Sequence, residues 1–286
     1  MKVSDNKISS VKSYFFESLK FLPQDEVNNY FSFLCYAWLN VSKADMLLNP
    51  DFEISESELL KFFYAIKDLQ NYRPIQYVAG KTWFYGVEIK VQEGVLIPRP
   101  ETEELVDWVV RDCGKINRIL DLGTGSGCIA LAVKNSLKHL HVSGCDVSRE
   151  ALVMARKNGE YLNLDVNFSE FDVLNWQLYP QKDKFDIIVS NPPYIPHFDR
   201  EIMHENVLNY EPEIALFVPN ANPLIFYKSI AEFSLLNLNK KGKLYLEIHE
   251  SYGQEVVQLI QELGYINVEL RKDIQGKDRM IKALLV

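Results

Sequence analysis

Apolar residues recur three and four positions apart through the first quarter of the chain: Val11, Tyr14, Phe15 and Leu19, then Tyr30, Phe31, Leu34 and Trp38. That spacing predicts helices whose aromatic stripes pack into a common core. A third helix is predicted from Ser55, because Glu58 completes a capping box ahead of Leu59, Leu60, Phe62, Phe63 and Ile66. Pro23 and Pro50 fall between the runs, where helices stop. At Arg73-Pro74 the texture changes. Residues 82–85 and 87–91 flank Gly86 and predict a short hairpin of unassigned register. Residues 94–110 begin extended at two X-Pro steps and continue as helix.

From Arg118 onward the period alternates. Strands are predicted at 118–122, 141–147, 166–171, 185–190 and 243–249, and around 265–272 and 280–285. Helices are predicted at 127–136, 149–162, near 223–237 and near 252–263. Such alternation implies an α/β unit in which helices cover a parallel sheet. Three segments are expected: a helical domain over 1–73, a hairpin linker over 74–93, and an α/β domain over 94–286.

Composition narrows the function classes. A chain of 286 residues that is 47% hydrophobic and only modestly rich in Gly and Pro buries a sizeable core and is not disordered. Its net charge of −8 argues against a protein that grips nucleic acid through phosphates, so no stable nucleic-acid binding is expected. Residues 1–73 carry 8 Lys and Arg against 10 Asp and Glu, which makes that segment no nucleic-acid clamp either. Four cysteines without a C-x-x-C pair argue against a disulfide framework and a Cys-type zinc site. His139, His141, His197, His204 and His249 do not fall at metal-ligand spacing, and no metal is expected. No secretory apolar region and no long apolar run is present, so a cytoplasmic enzyme that is a monomer and avoids the membrane is expected.

The first chemical signal is the strand–turn–helix at 118–132. Gly123, Gly125 and Gly127 form G-x-G-x-G, whereas the dinucleotide fingerprint needs glycine where Cys128 stands. Asp121 precedes the turn and would repel a pyrophosphate. A carboxylate there suits a ligand with positive charge and hydroxyls, and S-adenosylmethionine carries an ammonium, a sulfonium and a ribose. Asp146 ends the next strand, where a carboxylate accepts both ribose hydroxyls; the competing role is capping the following helix, for which Ser148 is better placed. Asp172 follows the third strand in the same register. It is a candidate acceptor for the adenine amine with Val173 packing on the ring, or else a solvated loop residue. Trp176 is a candidate stacking group or a core residue.

The second signal is Asn191-Pro192-Pro193-Tyr194. A buried strand at 185–190 must end there, because two successive prolines donate nothing to a sheet ladder and fix φ. The stiff turn offers the Asn191 amide oxygen, the Pro192 carbonyl and the Tyr194 ring, and two converging acceptors suit a planar NH2 group. The tetrapeptide is characteristic of methyltransferases acting on conjugated nitrogens: adenine N6, guanine N2, cytosine N4 or a glutamine amide. Positioning, and hydrogen bonds that strengthen as the nitrogen becomes cationic, supply much of such catalysis.

With these motifs the chain resembles the HemK/PrmC protein-(glutamine N5) methyltransferases that modify peptide-chain release factors. The resemblance runs through residues 96–103 (Leu-Ile-Pro-Arg-Pro-Glu-Thr-Glu), residues 121–127, Asn191–Ile195, and Glu211-Pro212 with Ala215-Leu216. It implies a Rossmann-like, seven-stranded S-adenosylmethionine-dependent methyltransferase domain, with a small helical domain joined by a β-hairpin. It also implies donor contacts from Gly123, Thr124, Gly125, Ser126, Gly127, Asp146 and Asn191, to which the strand-end reading adds Asp121, Asp172 and Val173, the last standing where the family has an aromatic. The target glutamine, in the GGQ motif of class 1 release factors, would be held by Asn191, Pro192, Pro193 and Tyr194, with Arg99 and Glu101 nearby. The helical domain becomes a candidate substrate-docking surface. The sequence departs from the family over 217–224, which reads Phe-Val-Pro-Asn-Ala-Asn-Pro-Leu in place of a glycine-rich stretch. An adenine-N6 nucleic-acid methyltransferase, a glutamine methyltransferase of a ribosomal protein and a binding module without turnover are the competing readings.

Overall fold

The computed structural model describes residues 5–114, 116–178 and 184–286. Its chain divides into two compact units, Met1–Thr82 with His204–Tyr210, and Trp83–Met203 with Glu211–Val286. The division falls at Thr82 rather than at the change of texture at Arg73, and it returns a short later segment to the first unit.

The first unit is helical: α1 (Ile8–Ser18), α2 (Gln24–Leu39), α3 (Lys43–Leu48), α4 (Glu56–Gln70) and α5 (Ile75–Ala79). The aromatic stripes meet as their spacing predicts. Phe15 lies edge-on to Phe31 at 5.4 Å between centroids, and Trp38 is edge-on to Phe62 at 5.3 Å. All three phenylalanines are buried. The Ser55–Glu58 capping box forms: Ser55 Oγ accepts from the Glu58 N–H, while the Glu58 carboxylate accepts from the Ser55 N–H at 2.8 Å. A second box, Ser42 with Asp45, starts α3. The segment 204–210 belongs to this unit, and the Tyr210 hydroxyl donates to the carbonyl of Asn71 at 2.8 Å.

The second unit begins within the hairpin of β1 (Lys81–Phe84) and β2 (Val87–Lys90), at Trp83. Tyr85 and Gly86 turn it with φ of 43° and 79°, and two successive positive angles match the tight turn that fits the twist of paired strands. Next come α6 (Pro100–Asp112), β3 (Arg118–Leu122), α7 (Cys128–Ser136), β4 (His141–Asp146), α8 (Arg149–Leu162), β5 (Asn167–Glu170) and β6 (Phe185–Ser190). The two-residue strands β7 (Ile195–Pro196) and β8 (Phe217–Val218) pair in parallel beyond β6. Short helices α9 (Glu205–Tyr210, in the first unit) and α10 (Glu213–Leu216) lie between them in sequence. The chain finishes with α11 (Ile225–Asn237), β9 (Leu238–Glu247), α12 (Gly253–Glu262), β10 (Ile266–Lys272) and β11 (Asp278–Leu284).

Seven strands form the main sheet in the order β10-β11-β9-β6-β3-β4-β5. Those from β9 to β5 run parallel, and β11 is antiparallel to both of its neighbours. β9 starts earlier than the apolar run suggests, because its register against β6 shifts between Leu238 and Lys243 and so absorbs the Lys-Lys-Gly turn residues within the strand. Strands β3 and β6 are nearly fully buried, as a central parallel pair covered on both faces must be. Their register sets the site: Leu122 lies beside both Ser190 of β6 and Cys145 of β4. The glycine turn, Asp146 and Asn191 therefore leave the sheet side by side at its carboxyl edge, where open α/β sheets bind ligands. No helix among the described residues is long and apolar enough to cross a membrane.

Candidate active site

The glycine turn is built by φ angles that side chains avoid: 72° at Gly123, 56° at Gly125 and 83° at Gly127. The N–H groups of Gly123 and Thr124 both donate to the Cys145 carbonyl at 2.9 Å, which hangs the turn on β4. Asp146 braces it from the side. Its Oδ2 accepts from the Gly125 N–H and its Oδ1 from the Ser148 N–H, each at 2.8 Å. Ser148 is the helix cap, accepting from the Ala151 N–H at 3.2 Å, so capping and bracing fall to different residues. Gly127 answers a packing need: a Cβ there would come within 3.1 Å of Leu131 and Phe168.

Asp121 lies behind this turn with no solvent exposure. Its Oδ2 accepts from the Thr124 hydroxyl at 2.6 Å and from the Ala130 N–H at 3.2 Å, while its Oδ1 has no hydrogen-bond partner among the described residues. Burial pushes its carboxyl up to about 7, against those two hydrogen bonds and with added repulsion from Asp146. Burial also raises Asp146.

In front of the turn is a cavity of about 220 Å³. Gly123, Gly125 and Asp146 form one wall, and Asn191, Pro192 and Pro193 form another. Val147, Phe171, Val173, Leu174, Phe226 and Ile230 give the same cavity an apolar lining. Asp172 sits at its edge, its two oxygens accepting from the Leu174 N–H at 2.9 Å and the Asn175 amide at 2.7 Å. Leu96, Pro212, Ile214 and Ala215 also border the space. Asp121, Thr124, Ser126, Gly127, Tyr194, Arg99 and Glu101 are not among the lining residues. Trp176 packs against the core of the sheet. A largely apolar cavity with two carboxylates in its lining, Asp146 and Asp172, and the unpartnered Asp121 oxygen buried behind the glycine turn fit a ligand that joins an aromatic base, a ribose and a cation.

The Asn-Pro-Pro-Tyr turn is held from beneath by a buried carboxylate. Asn191 Nδ2 donates to Thr102 Oγ1 at 3.0 Å, and the Thr102 hydroxyl donates to Glu247 Oε2 at 2.6 Å. The Tyr194 hydroxyl donates to Glu247 Oε1 at 3.0 Å, and its ring stands edge-on to His249. Tyr194 thus anchors the turn through its hydroxyl, where an open aromatic face was expected. Glu247, at the end of β9, is 1% exposed; burial raises its pKa, opposed by the Thr102 and Tyr194 hydrogen bonds.

Arg99 and Glu101 serve the frame. Arg99 Nη2 pairs with Glu211 Oε1 at 2.6 Å, and the other oxygen of the buried Glu211 accepts from the Ile97 N–H at 3.2 Å. This carboxylate ties the segment before α6 to the Glu211-Pro212 segment bordering the cavity. Glu101 Oε1 accepts from Gln275 Nε2 at 3.3 Å. Sequence reasoning did not single out Thr102, Glu247 or Phe226. For Glu247 a signal existed: one charged residue interrupts the apolar run Leu244-Tyr-Leu-Glu-Ile. His197 stacks on Phe217 and forms no metal cluster with the other histidines; the described residues contain no group of three metal-ligating side chains.

Comparison with known proteins places this geometry. Residues 24–80 match the PrmC N-terminal domain, and residues 102–209 match the methyltransferase small domain. A release factor glutamine methyltransferase of Flavobacterium psychrophilum is 40% identical over 96% of this chain and 98% of its own length. One from Bacteroides thetaiotaomicron is 42% identical over 96% of this chain and 99% of its own. Among solved structures, a 16S rRNA methyltransferase of T. thermophilus in complex with AdoMet and guanosine superposes with a TM-score of 0.51 at 18% identity, over 72% of this chain and 50% of that one, a likeness of fold alone. With both motifs inside an alignment that spans nearly the whole chain, this protein belongs to the release factor glutamine methyltransferase family.

Proposed function

We propose that this enzyme transfers a methyl group from S-adenosylmethionine to the side-chain amide nitrogen of a glutamine in a peptide-chain release factor, in the GGQ motif of the class 1 factors. The observation that carries the reading is that the Asn-Pro-Pro-Tyr turn and the glycine turn wall one cavity, in a chain related over nearly its whole length to enzymes of that name. Asp146 would receive the ribose hydroxyls, Gly123 and Gly125 the donor's amino-acid end, and Asp172 the adenine amine, with Phe171, Val173 and Phe226 enclosing the ring. Bound S-adenosylmethionine supplies an electrophilic methyl group on a sulfonium.

A glutamine amide nitrogen shares its lone pair with the carbonyl and is a poor nucleophile. Asn191 Oδ1 and the Pro192 carbonyl accept its two hydrogens. These bonds strengthen as positive charge develops on nitrogen and hold it in the direction of attack. The N–CH3 bond forms as the S–CH3 bond breaks, the donor leaves as the neutral thioether, and the nitrogen gives up one of its two protons past these acceptors to solvent. The prolines keep both acceptors fixed, so little reorganisation opposes the reaction. The net charge of −8 fits a protein substrate better than a polyanion. A folded protein substrate needs about 800 Å² of contact on each partner, more than a glutamine pocket offers, and the helical unit is assigned to that docking. A translation factor as substrate places the reaction in the cytoplasm. Incubation with methyl-labelled donor tests the reading: label is expected on release factor and not on duplex DNA, and transfer to DNA at moderate salt would overturn it.

A further inference from the structure

The amide of Asn191 has two ends, and the chemistry requires the oxygen end. Amide oxygen and nitrogen are nearly the same size, so shape alone does not select between them; hydrogen bonding does. Thr102 Oγ1 has one hydrogen. It points to Glu247 Oε2 at 2.6 Å, because the two oxygens of that carboxylate serve as acceptors, one for Thr102 and one for Tyr194. The same oxygen must then accept from its other neighbour, and Asn191 Nδ2 stands there at 3.0 Å. Tyr194 takes up Glu247 Oε1 at 3.0 Å, which leaves Thr102 as the side-chain donor to Oε2. Directionality therefore passes from the carboxylate through the hydroxyl to the amide.

We propose that Glu247 is a positioning residue that acts through Thr102 to lock Asn191 with its Oδ1 toward the methyl-accepting nitrogen. The inference rests on the glutamine-methylation reading for the substrate that Asn191 meets. It explains why a carboxylate is buried at the end of β9 where the surrounding strand is apolar. It also gives Tyr194, absent from the cavity wall, a part in the arrangement: it shares the carboxylate that aligns Asn191. A neutral amide at 247 carries donors as well as an acceptor. It permits Thr102 to accept from residue 247 and donate to Asn191, which reverses the Asn191 amide and turns an NH2 toward another NH2.

The full chain is assayed as wild type, Thr102→Val, Thr102→Ser and Glu247→Gln, with release factor as substrate and donor affinity measured by calorimetry. Thr102→Val keeps shape and removes the relay; its kcat is expected to fall at least about tenfold with donor affinity unchanged. Thr102→Ser restores the hydroxyl and is expected to recover most of the lost turnover. Glu247→Gln should behave like Thr102→Val. In protein labelled with 15N-asparagine, the Asn191 side-chain NH2 resonances, assigned by their absence in Asn191→Ala, should be slowed in exchange in wild type and Thr102→Ser and lose that protection in Thr102→Val. A folded Thr102→Val enzyme with wild-type kcat, or with a protected Asn191 NH2, would overturn the proposal. An inactive wild type would instead sink the release-factor reading, while the resonance arm would still judge the relay.

Discussion

Replacing Asp121 by Asn should make the protein more stable near neutral pH and worse at holding its donor. The carboxyl rises from its ordinary 3.8 to about 7 because it is fully buried behind the glycine turn, with one oxygen lacking a partner. A folded pKa above the unfolded one means that the folded state holds the extra proton between about pH 4 and about pH 7, so stability falls as pH rises through that window. The displacement is worth about 4 kcal/mol, at roughly 1.4 kcal/mol per pH unit, fully present below the unfolded pKa and gone above the folded one. Asn at 121 keeps an acceptor for the Thr124 hydroxyl and the Ala130 N–H and removes the charge. Urea unfolding of both proteins from about pH 4 to about pH 8 isolates this group, because the remaining carboxylates are common to both. The difference between the two curves should change by several kcal/mol in favour of the variant as pH rises. Donor affinity measured alongside should be weaker in the variant, since a cationic ligand favours the ionised form. Parallel stability curves would show that Asp121 is ionised throughout and that the burial argument is wrong.

Asp146→Ala should weaken S-adenosylmethionine binding by about 1.5–3 kcal/mol, the range for hydrogen bonds to a charged group, and unchanged affinity by calorimetry would remove Asp146 from the ribose site. Asn191→Ala should lower kcat by about 10²-fold or more while donor affinity changes much less, and Asn191→Asp, which keeps an acceptor, should retain more activity; near-normal turnover in the Ala enzyme would leave the Pro192 carbonyl as sufficient. Gly144→Ala should cost about 1–3 kcal/mol of stability, because a Cβ at that position lies 2.7 Å from Thr124 Oγ1 and 2.8 Å from the Phe168 ring, and the Thr124 hydroxyl is committed to Asp121. An unchanged urea midpoint would show that the turn yields freely.

The elements with a strong local signature were legible before the structure. The aromatic stripes, the Ser55 capping box, the buried strands flanked by glycine or proline and the two motifs all declare themselves within a few residues of sequence. What was not legible depends on contacts distant in sequence. Tyr194 reads as a platform, yet its hydroxyl is committed to Glu247 on a strand that lies far along the chain. Arg99 reads as a substrate group, and its ion pair with Glu211, 112 residues further along, could not be read from spacing. Gly127 reads as a donor contact, and the sequence does not show that a Cβ there would also press on Leu131, Phe168 and Ala155. Nothing in residues 204–210 announces that they pack with the helical unit, where His204, Glu205 and Asn206 line a cavity with Leu22, Tyr30 and Leu69 and Tyr210 bonds to Asn71. Spacing identifies which residues are special, and it leaves open which of them face ligand and which hold the others in place.

The central claim is that the cavity delivers a methyl group to a glutamine amide presented by a release factor. Mass mapping of release factor after incubation with the enzyme and S-adenosylmethionine tests it most directly. A single added methyl group is expected on the side-chain nitrogen of the glutamine in its GGQ motif, at a rate lower by about 10²-fold or more when Asn191→Ala replaces the wild-type enzyme. A methyl group on any other residue, or release factor left unmodified by an enzyme that binds its donor, would contradict it.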